Sequence, residues 1–196
     1  MYKVGSLYNS PFDHIEHPNF LTKNQIDYTL KNIENLPYEK GTTEEKGIRE
    51  SRIKWIPLNK TFNKLYTTVL ELVHISNSYN WKFDLKELTF PFQYTEYHST
   101  NNGRYDWHVD VGENKRSYRK LSLTIQLSHP SEYEGGDFQL FGGNQKEKST
   151  NFPYTTMQKG LGTIIIFPSY MVHRVTPVTK GIRKSLVLWV GGCTFT

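Results

Sequence analysis

A mainly β fold with α-helices gathered in its N-terminal half is predicted by three observations. From about Leu88 onward the chain breaks into short segments of strand character. Glycine-rich turns, Gly135-Gly136, Gly142-Gly143 and Gly160-Leu161-Gly162, punctuate them. Before Leu88, two stretches instead repeat apolar residues at helical spacing. Many short strands with Gly-rich turns imply a two-sheet sandwich or a jelly roll, with the helices buttressing one face. No linker and no internal repeat interrupts the 196 residues, so they read as one domain: helical support over about 1–87 and a β core over about 88–196. That length buries a core without disulfides.

The first helix starts at Thr22-Lys23-Asn24-Gln25, a capping box with a hydroxyl at the N-cap and Gln three residues on. Ile26, Leu30 and Ile33 follow at helical spacing, and Pro37 marks the stop. A second helix is expected over about 60–76, where Phe62, Leu65, Val69, Leu72 and Val73 form one stripe. Between them, 48–58 reads as extended. The predicted strands are 88–97, 105–109, 121–128, 137–141, 163–167, 172–178 and 185–191, and 144–150 reads as a surface loop.

Aromatic residues make up 14% of the chain, with 13 Tyr and 11 Phe, which suits pleated surfaces. Cys193 stands alone, so no intrachain disulfide forms, as fits a reducing compartment. No segment approaches the roughly 20 apolar residues that span a bilayer, and Met1 to Gly5 leads into polar sequence unlike a signal peptide. The expected location is cytoplasmic. The formal net charge of +5 is spread along the chain, which argues against a dedicated nucleic-acid surface.

Chemistry concentrates in Tyr105-Asp106-Trp107-His108-Val109-Asp110. Side chains alternate along a strand, so His108 and Asp110 point the same way and can share a metal. His173, near the start of another apolar run, is the best third ligand. Two imidazoles and one carboxylate suit a non-haem Fe(II) site. A His-x-Asp pair is common by chance, and a lone strand His is more often a hydrogen-bonded structural residue. Arg183, ten residues past His173, strengthens the metal reading. Pro177 and Gly181 suggest a hairpin that returns Arg183 beside the metal, where a guanidinium can clamp a carboxylate bidentately. Ser185 lies on the same strand face and can join the clamp.

These residues resemble the prolyl and lysyl hydroxylase branch of the Fe(II)/2-oxoglutarate dioxygenases, and the bacterial prolyl 4-hydroxylase-like enzymes more closely still. The strand from Leu121 to Ser128 and the turn Tyr133-Glu134-Gly135-Gly136-Asp137-Phe138 are similar to theirs. So is His173-Arg174-Val175-Thr176-Pro177-Val178-Thr179-Lys180-Gly181-Ile182-Arg183, almost residue for residue. The similarity spans roughly 90–192, and the N-terminal half carries no matching motif. The resemblance implies a double-stranded β-helix (jelly roll). It implies iron on His108, Asp110 and His173, and Arg183 holding the distal carboxylate of 2-oxoglutarate. Tyr97 stands near the place where this branch often has a tyrosine contacting the cosubstrate, and Trp189 is a candidate wall of the same pocket; a plain core aromatic is the alternative for each.

The implied reaction consumes 2-oxoglutarate and O2, releases succinate and CO2, and hydroxylates a C–H bond, with ascorbate a candidate reductant. Asp110 fills the position that related halogenases leave open, which favours hydroxylation. The expected substrate is a prolyl residue of a protein or peptide. A free amino acid is an alternative. A nucleic-acid dealkylase is another, but that branch typically carries a second Arg where Trp189 stands. A non-enzymatic ligand-binding jelly roll is the reading outside enzymology. The turn Asn101-Asn102-Gly103 is a candidate lid, and Arg104, Lys115, Arg116 and Arg119 give the expected rim its positive charge. Asp13 to His17, although rich in ligand types, reads as surface or capping sequence. His74, His98, His129 and Cys193 read as structural or solvent-facing.

Overall fold

The computed structural model describes residues 13–41, 43, 47–142 and 154–193. Met1 to Gly5 and the loop expected over 144–150 lie outside the described residues. In chain order the elements are β1 (Ile15–His17), α1 (Lys23–Ile33), β2 (Glu39–Lys40), β3 (Arg49–Glu50), β4 (Arg52–Ile56), α2 (Asn63–Tyr79), β5 (Leu85–Leu88) and β6 (Phe92–His98). They continue with β7 (Arg104–His108), β8 (Arg119–Gln126), β9 (Tyr133–Gly135), β10 (Phe138–Phe141), β11 (Tyr154–Thr156), β12 (Ile164–Pro168), β13 (His173–Val175) and β14 (Val178–Gly192). The larger sheet runs β1-β12-β8-β14-β6-β4-β2, with β5 and β9 also paired to β14. The smaller runs β11-β10-β13-β7-β3.

Strand periodicity sorts the side chains into two layers. In β12, Ile164 and Ile166 join the core under the helices, whereas Ile165 and Phe167 pack with Phe138, Leu140 and Val175 of the smaller sheet. In β14, Leu186, Leu188 and Val190 face the helices, and Arg183, Ser185, Val187 and Trp189 line a cavity on the other side. The helices cover the larger sheet through Ile26, Ile33, Tyr66, Val69 and Val73. Each fully buried aliphatic side chain contributes about 1.5–3 kcal/mol. The capping box forms as expected: Thr22 Oγ1 accepts from the Gln25 amide and Gln25 Oε1 accepts from the Thr22 amide. Among the described residues no helix is long and apolar enough to cross a membrane.

The jelly roll buttressed by helices is the architecture observed, with local corrections. The expected hairpin between the strands of His173 and Arg183 does not form. β13 pairs with β10 and β7 in the smaller sheet, while β14 pairs with β9, β6, β8 and β5. Gly181 is not a turn but a left-handed kink (φ 70°) inside β14, and a Cβ there would lie 2.0 Å from the Glu132 carbonyl oxygen. The strand expected over 88–97 is broken around Pro91, which has no N–H to donate to a ladder, giving β5 and β6. The Asp13–His17 segment is not loose surface: Ile15–His17 pairs with Ile164–Ile166 of β12. β2, β9 and β11, each of two or three residues, were too short to show a period.

On the helix side, Glu96 fastens β6 to β4 and to the segment after α1. Its carboxylate accepts from Tyr38 (2.9 Å), Tyr94 (2.7 Å) and Arg52 (2.9 Å), and His98 lies at 2.7 Å. Burial works to raise its pKa, but the bonds to His98, Tyr94, Tyr38 and Arg52 win and hold it at about 2.

Two predictions follow from this packing. Gly181→Ala forces a Cβ into a positive-φ site against backbone, at a cost of about 1–3 kcal/mol or more; a urea midpoint equal to that of the unsubstituted chain would refute the kink. Because the Glu96 pKa is depressed on folding, its contribution is complete above about 4.5 and is lost as pH falls towards about 2. Glu96→Gln should therefore flatten the decline in stability across that window, and an equally steep decline in the variant would show that Glu96 does not drive it.

Candidate active site

The two sheets enclose a cavity of about 450 Å³ with His108, Asp110 and His173 on one wall and Arg183 on the facing one. His108 closes β7 and His173 opens β13, and the two are register partners in the smaller sheet. Asp110 follows two residues later, its amide donating to the Ser169 carbonyl at 3.0 Å. One ligand-type atom from each of the three lies within 4.8 Å of the others. His173 Nε2 is 3.5 Å from Asp110 Oδ2, and His108 Nε2 is 3.9 Å from Oδ1.

The surroundings fix which atoms are available. His108 Nδ1 sits 2.7 Å from the Asp106 carbonyl, and His173 Nδ1 sits 2.8 Å from the Met171 carbonyl. Carbonyls only accept, so each Nδ1 donates its proton there, and Nε2 is the ring nitrogen left facing Asp110. Burial first, then the neighbouring His173, pushes the His108 pKa down to about 3 and keeps its ring neutral. Burial works to raise the Asp110 carboxyl, but His173, His108, Arg119 and the Ser122 hydroxyl together hold it below its usual value. Ser122 Oγ donates to Asp110 Oδ2 at 2.7 Å and is itself 2.9 Å from Ser169 Oγ.

Arg183, only 1% exposed, is the largest fully buried side chain among the described residues. It donates through Nη1 to Ser185 Oγ (3.1 Å) and through Nη2 to Gln126 Oε1 (3.0 Å). The Tyr97 ring lies 5.5 Å away, and the buried Nε has no partner. No described carboxylate pairs with this guanidinium. Gly136 leaves room beside it, since a Cβ there would stand 3.0 Å from Arg183 Cδ.

Toward the mouth, Trp55 stacks on Phe90 (5.9 Å) and Phe90 meets Trp189 edge-on (6.3 Å). Arg119 lies 4.0 Å over Trp189, and Arg49 lies 4.8 Å from the Tyr105 ring.

All seven residues singled out from the sequence, His108, Asp110, His173, Arg183, Tyr97, Ser185 and Trp189, line this one cavity. His173 and Arg183 meet across the two sheets rather than along one. Arg119, expected at a solvated rim, is buried at 7% exposure because β8 begins there and its guanidinium lies on Trp189. Sequence reasoning missed Ser122 and Gln126. Their signal was present: polar residues alternate with Leu121, Leu123 and Ile125 in a wholly buried strand. Ser169 and Arg49 carried no such signal.

Residues 92–191 match the 2OG-Fe(II) oxygenase superfamily, and the chain belongs to that family. A PKHD-type hydroxylase of Teredinibacter turnerae is 34% identical over 111 residues, covering 54% of this chain and 45% of the relative. One of Synechococcus sp. is 40% identical over 88 residues, covering 44% and 35%. The chain thus spans less than half the length of these curated relatives. Among solved structures, a Pseudomonas putida prolyl-4-hydroxylase superposes with a TM-score of 0.69 at 16% identity, covering 93% of this chain and 94% of that one. A Trichoplax adhaerens prolyl hydroxylase, in complex with a hypoxia inducible factor peptide fragment, gives 0.73 at 17% identity, covering 91% and 83%. At such identities the likeness is one of fold.

Proposed function

We propose that the chain acts as a single-domain Fe(II)- and 2-oxoglutarate-dependent oxygenase that hydroxylates a C–H bond, the preferred substrate being a prolyl residue of a protein or peptide. The observation that carries this reading is the cavity with His108, Asp110 and His173 on one wall and, opposite, the buried Arg183, which no described carboxylate meets. The donor set fits the metal: two imidazoles and one carboxylate suit Fe(II), and one ligand-type atom of each lies within 4.8 Å of the others. The cosubstrate fits as well, because a carboxylate supplies what the unpartnered Arg183 Nε lacks.

When bound, iron and 2-oxoglutarate supply the oxidising chemistry, with O2 as oxidant, succinate and CO2 as products and ascorbate as a reductant. The chain's residues hold and orient. His108, Asp110 and His173 ligate the metal, and Ser122 fixes the Asp110 carboxylate. Arg183 binds the distal carboxylate of 2-oxoglutarate, with Ser185 and Gln126 setting the plane of the guanidinium and Tyr97 covering it. Trp189, Phe90 and Trp55 form an apolar wall that excludes water and accepts a pyrrolidine ring. The hydroxylase names of the curated relatives and the prolyl hydroxylase fold neighbours support the substrate class. The turn at Asn101–Gly103, expected as a lid, is not among the residues lining the cavity and is tied to β6 and β14, the Gly103 amide donating to the His98 carbonyl and the Val178 amide to the Gly103 carbonyl.

Asp110→Ala should abolish iron-dependent succinate formation, measured by following 2-oxoglutarate consumption and succinate release together; full turnover in the variant would refute the ligand assignment. Arg183→Ala should raise the 2-oxoglutarate concentration for half-saturation by about tenfold or more, since each charge-assisted bond contributes about 1.5–3 kcal/mol. An unchanged requirement would remove Arg183 from the cosubstrate site.

A further inference from the structure

The cavity carries more positive charge than the iron and 2-oxoglutarate site uses. Arg49, Arg116, Arg119 and Arg183 line it, and Asp110 is the lone carboxylate among its lining residues. On the reading above, a divalent iron ion, Asp110, the two carboxylates of 2-oxoglutarate and Arg183 cancel one another. Arg49, Arg116 and Arg119 remain. Arg116 is turned onto the Val109 and Val111 carbonyls, whereas Arg49 and Arg119 form no ion pair with a described residue.

Both are held by neutral groups, which orient a guanidinium without neutralising it. Arg49 donates through Nε to Ser51 Oγ and through Nη2 to Gln93 Oε1, both at 2.8 Å. The Tyr105 ring that carries Arg49 also stacks on His108, with centroids 3.4 Å apart. One aromatic ring therefore links Arg49 to the metal ligands. Arg119 donates through Nη1 to the Asp110 carbonyl at 3.0 Å, and its buried Nε has no partner. Arg119 is buried and Arg49 half-buried; a purely structural arginine as deep as Arg119 is normally neutralised, because a buried unpaired charge is costly. Planar guanidinium groups fixed on aromatic faces with donors to spare are suited to receiving a carboxylate.

We propose that Arg49, assisted by Arg119, binds a carboxylate of the primary substrate, so that the oxidised C–H bond lies in a carboxylate-bearing molecule. The inference rests on the oxygenase reading and narrows its substrate. The carboxylate comes either from an acidic side chain beside a prolyl residue or from the α-carboxylate of a free amino acid.

The test uses the Fe(II)- and 2-oxoglutarate-loaded chain under argon. Binding is read from tryptophan fluorescence, since Trp55, Trp107 and Trp189 line the cavity. Two probe pairs differ in carboxylate against amide: acetyl-Pro-Glu-amide with acetyl-Pro-Gln-amide, and L-proline with L-prolinamide. In at least one pair the carboxylate member should bind about tenfold or more tightly, and the discriminating pair identifies the source. Arg49→Gln should reduce that preference to within about twofold, with Arg49→Lys intermediate. Should Arg49→Gln fail to fold, Arg119→Gln and the probe pairs on the unsubstituted chain carry the test. No preference in either pair, or a preference that survives Arg49→Gln, overturns the proposal. So does a raised 2-oxoglutarate requirement in Arg49→Gln with the preference intact, which would place Arg49 at the cosubstrate. Failure of the oxygenase reading is distinguishable: the unsubstituted chain would then form no succinate in air with iron and 2-oxoglutarate, whatever the probes do.

Discussion

β14 runs for 15 residues between two buried environments, and the period of two along it governs both. Leu186, Leu188 and Val190 anchor the helix layer, while Arg183, Ser185, Val187 and Trp189 face the cavity. A slip of one residue would exchange the two sets and drive a guanidinium into the apolar core. Pairing on both sides prevents it: β6 holds Ile182–Val187, and β8 holds Ser185–Gly191. The kink at Gly181 lets the same strand reach β9 before it enters this frame. The position of Arg183 is thus fixed by the hydrophobic requirement of the opposite face of its own strand.

Two kinds of buried charge coexist in the chain, and the contrast separates structure from binding. Glu96 is surrounded by Tyr38, Tyr94, Arg52 and His98, so its charge is met within the fold. The buried Arg183 and Arg119, and the half-buried Arg49, are equally well oriented but, among the described residues, hydrogen-bond only to neutral acceptors and lie on aromatic faces. A buried ion costs several kcal/mol unless it is compensated. The first pattern completes that compensation on folding. The second leaves it to something that arrives afterwards, which on the proposed reading is the cosubstrate for Arg183 and the substrate for the other two.

Much of the second half was legible in the sequence because its signals are local. The strand alternation around His108, the apolar run before His173 and the capping box at Thr22 each occupy a few consecutive residues. The hairpin failed for a physical reason. Pro177 and Gly181 are turn residues by composition, yet Gly181 supplies a positive φ inside a strand, a use that no short window distinguishes from a turn. Arg119 failed for another: its burial depends on Trp189, seventy residues away, whose ring it covers. The support of Asp110 by Ser122 and Ser169 was half legible, since Ser122 lies in the alternating strand and Ser169 does not.

The part of the chain outside the family match carries a different share of the cavity. His108, Asp110, His173 and Arg183 all fall within residues 92–191. Ile48, Arg49, Trp55 and Phe90 fall before them and line the same space. Arg49 reaches the cavity because β3 pairs with β7, the strand that ends in His108. Its guanidinium packs close to Gly41, where a Cβ would stand 2.3 Å from Ser51 Oγ and 2.7 Å from Arg49 Nε. A constraint that tight is a sign of preorganisation, which lowers the cost of ordering on binding. On the proposed reading, the matched segment provides the oxidising machinery, and the preceding residues shape the wall that meets the molecule to be oxidised. Relatives that share the first therefore need not share the second, and substrate choice is to be sought at β3 and β4 rather than in the motif around His173.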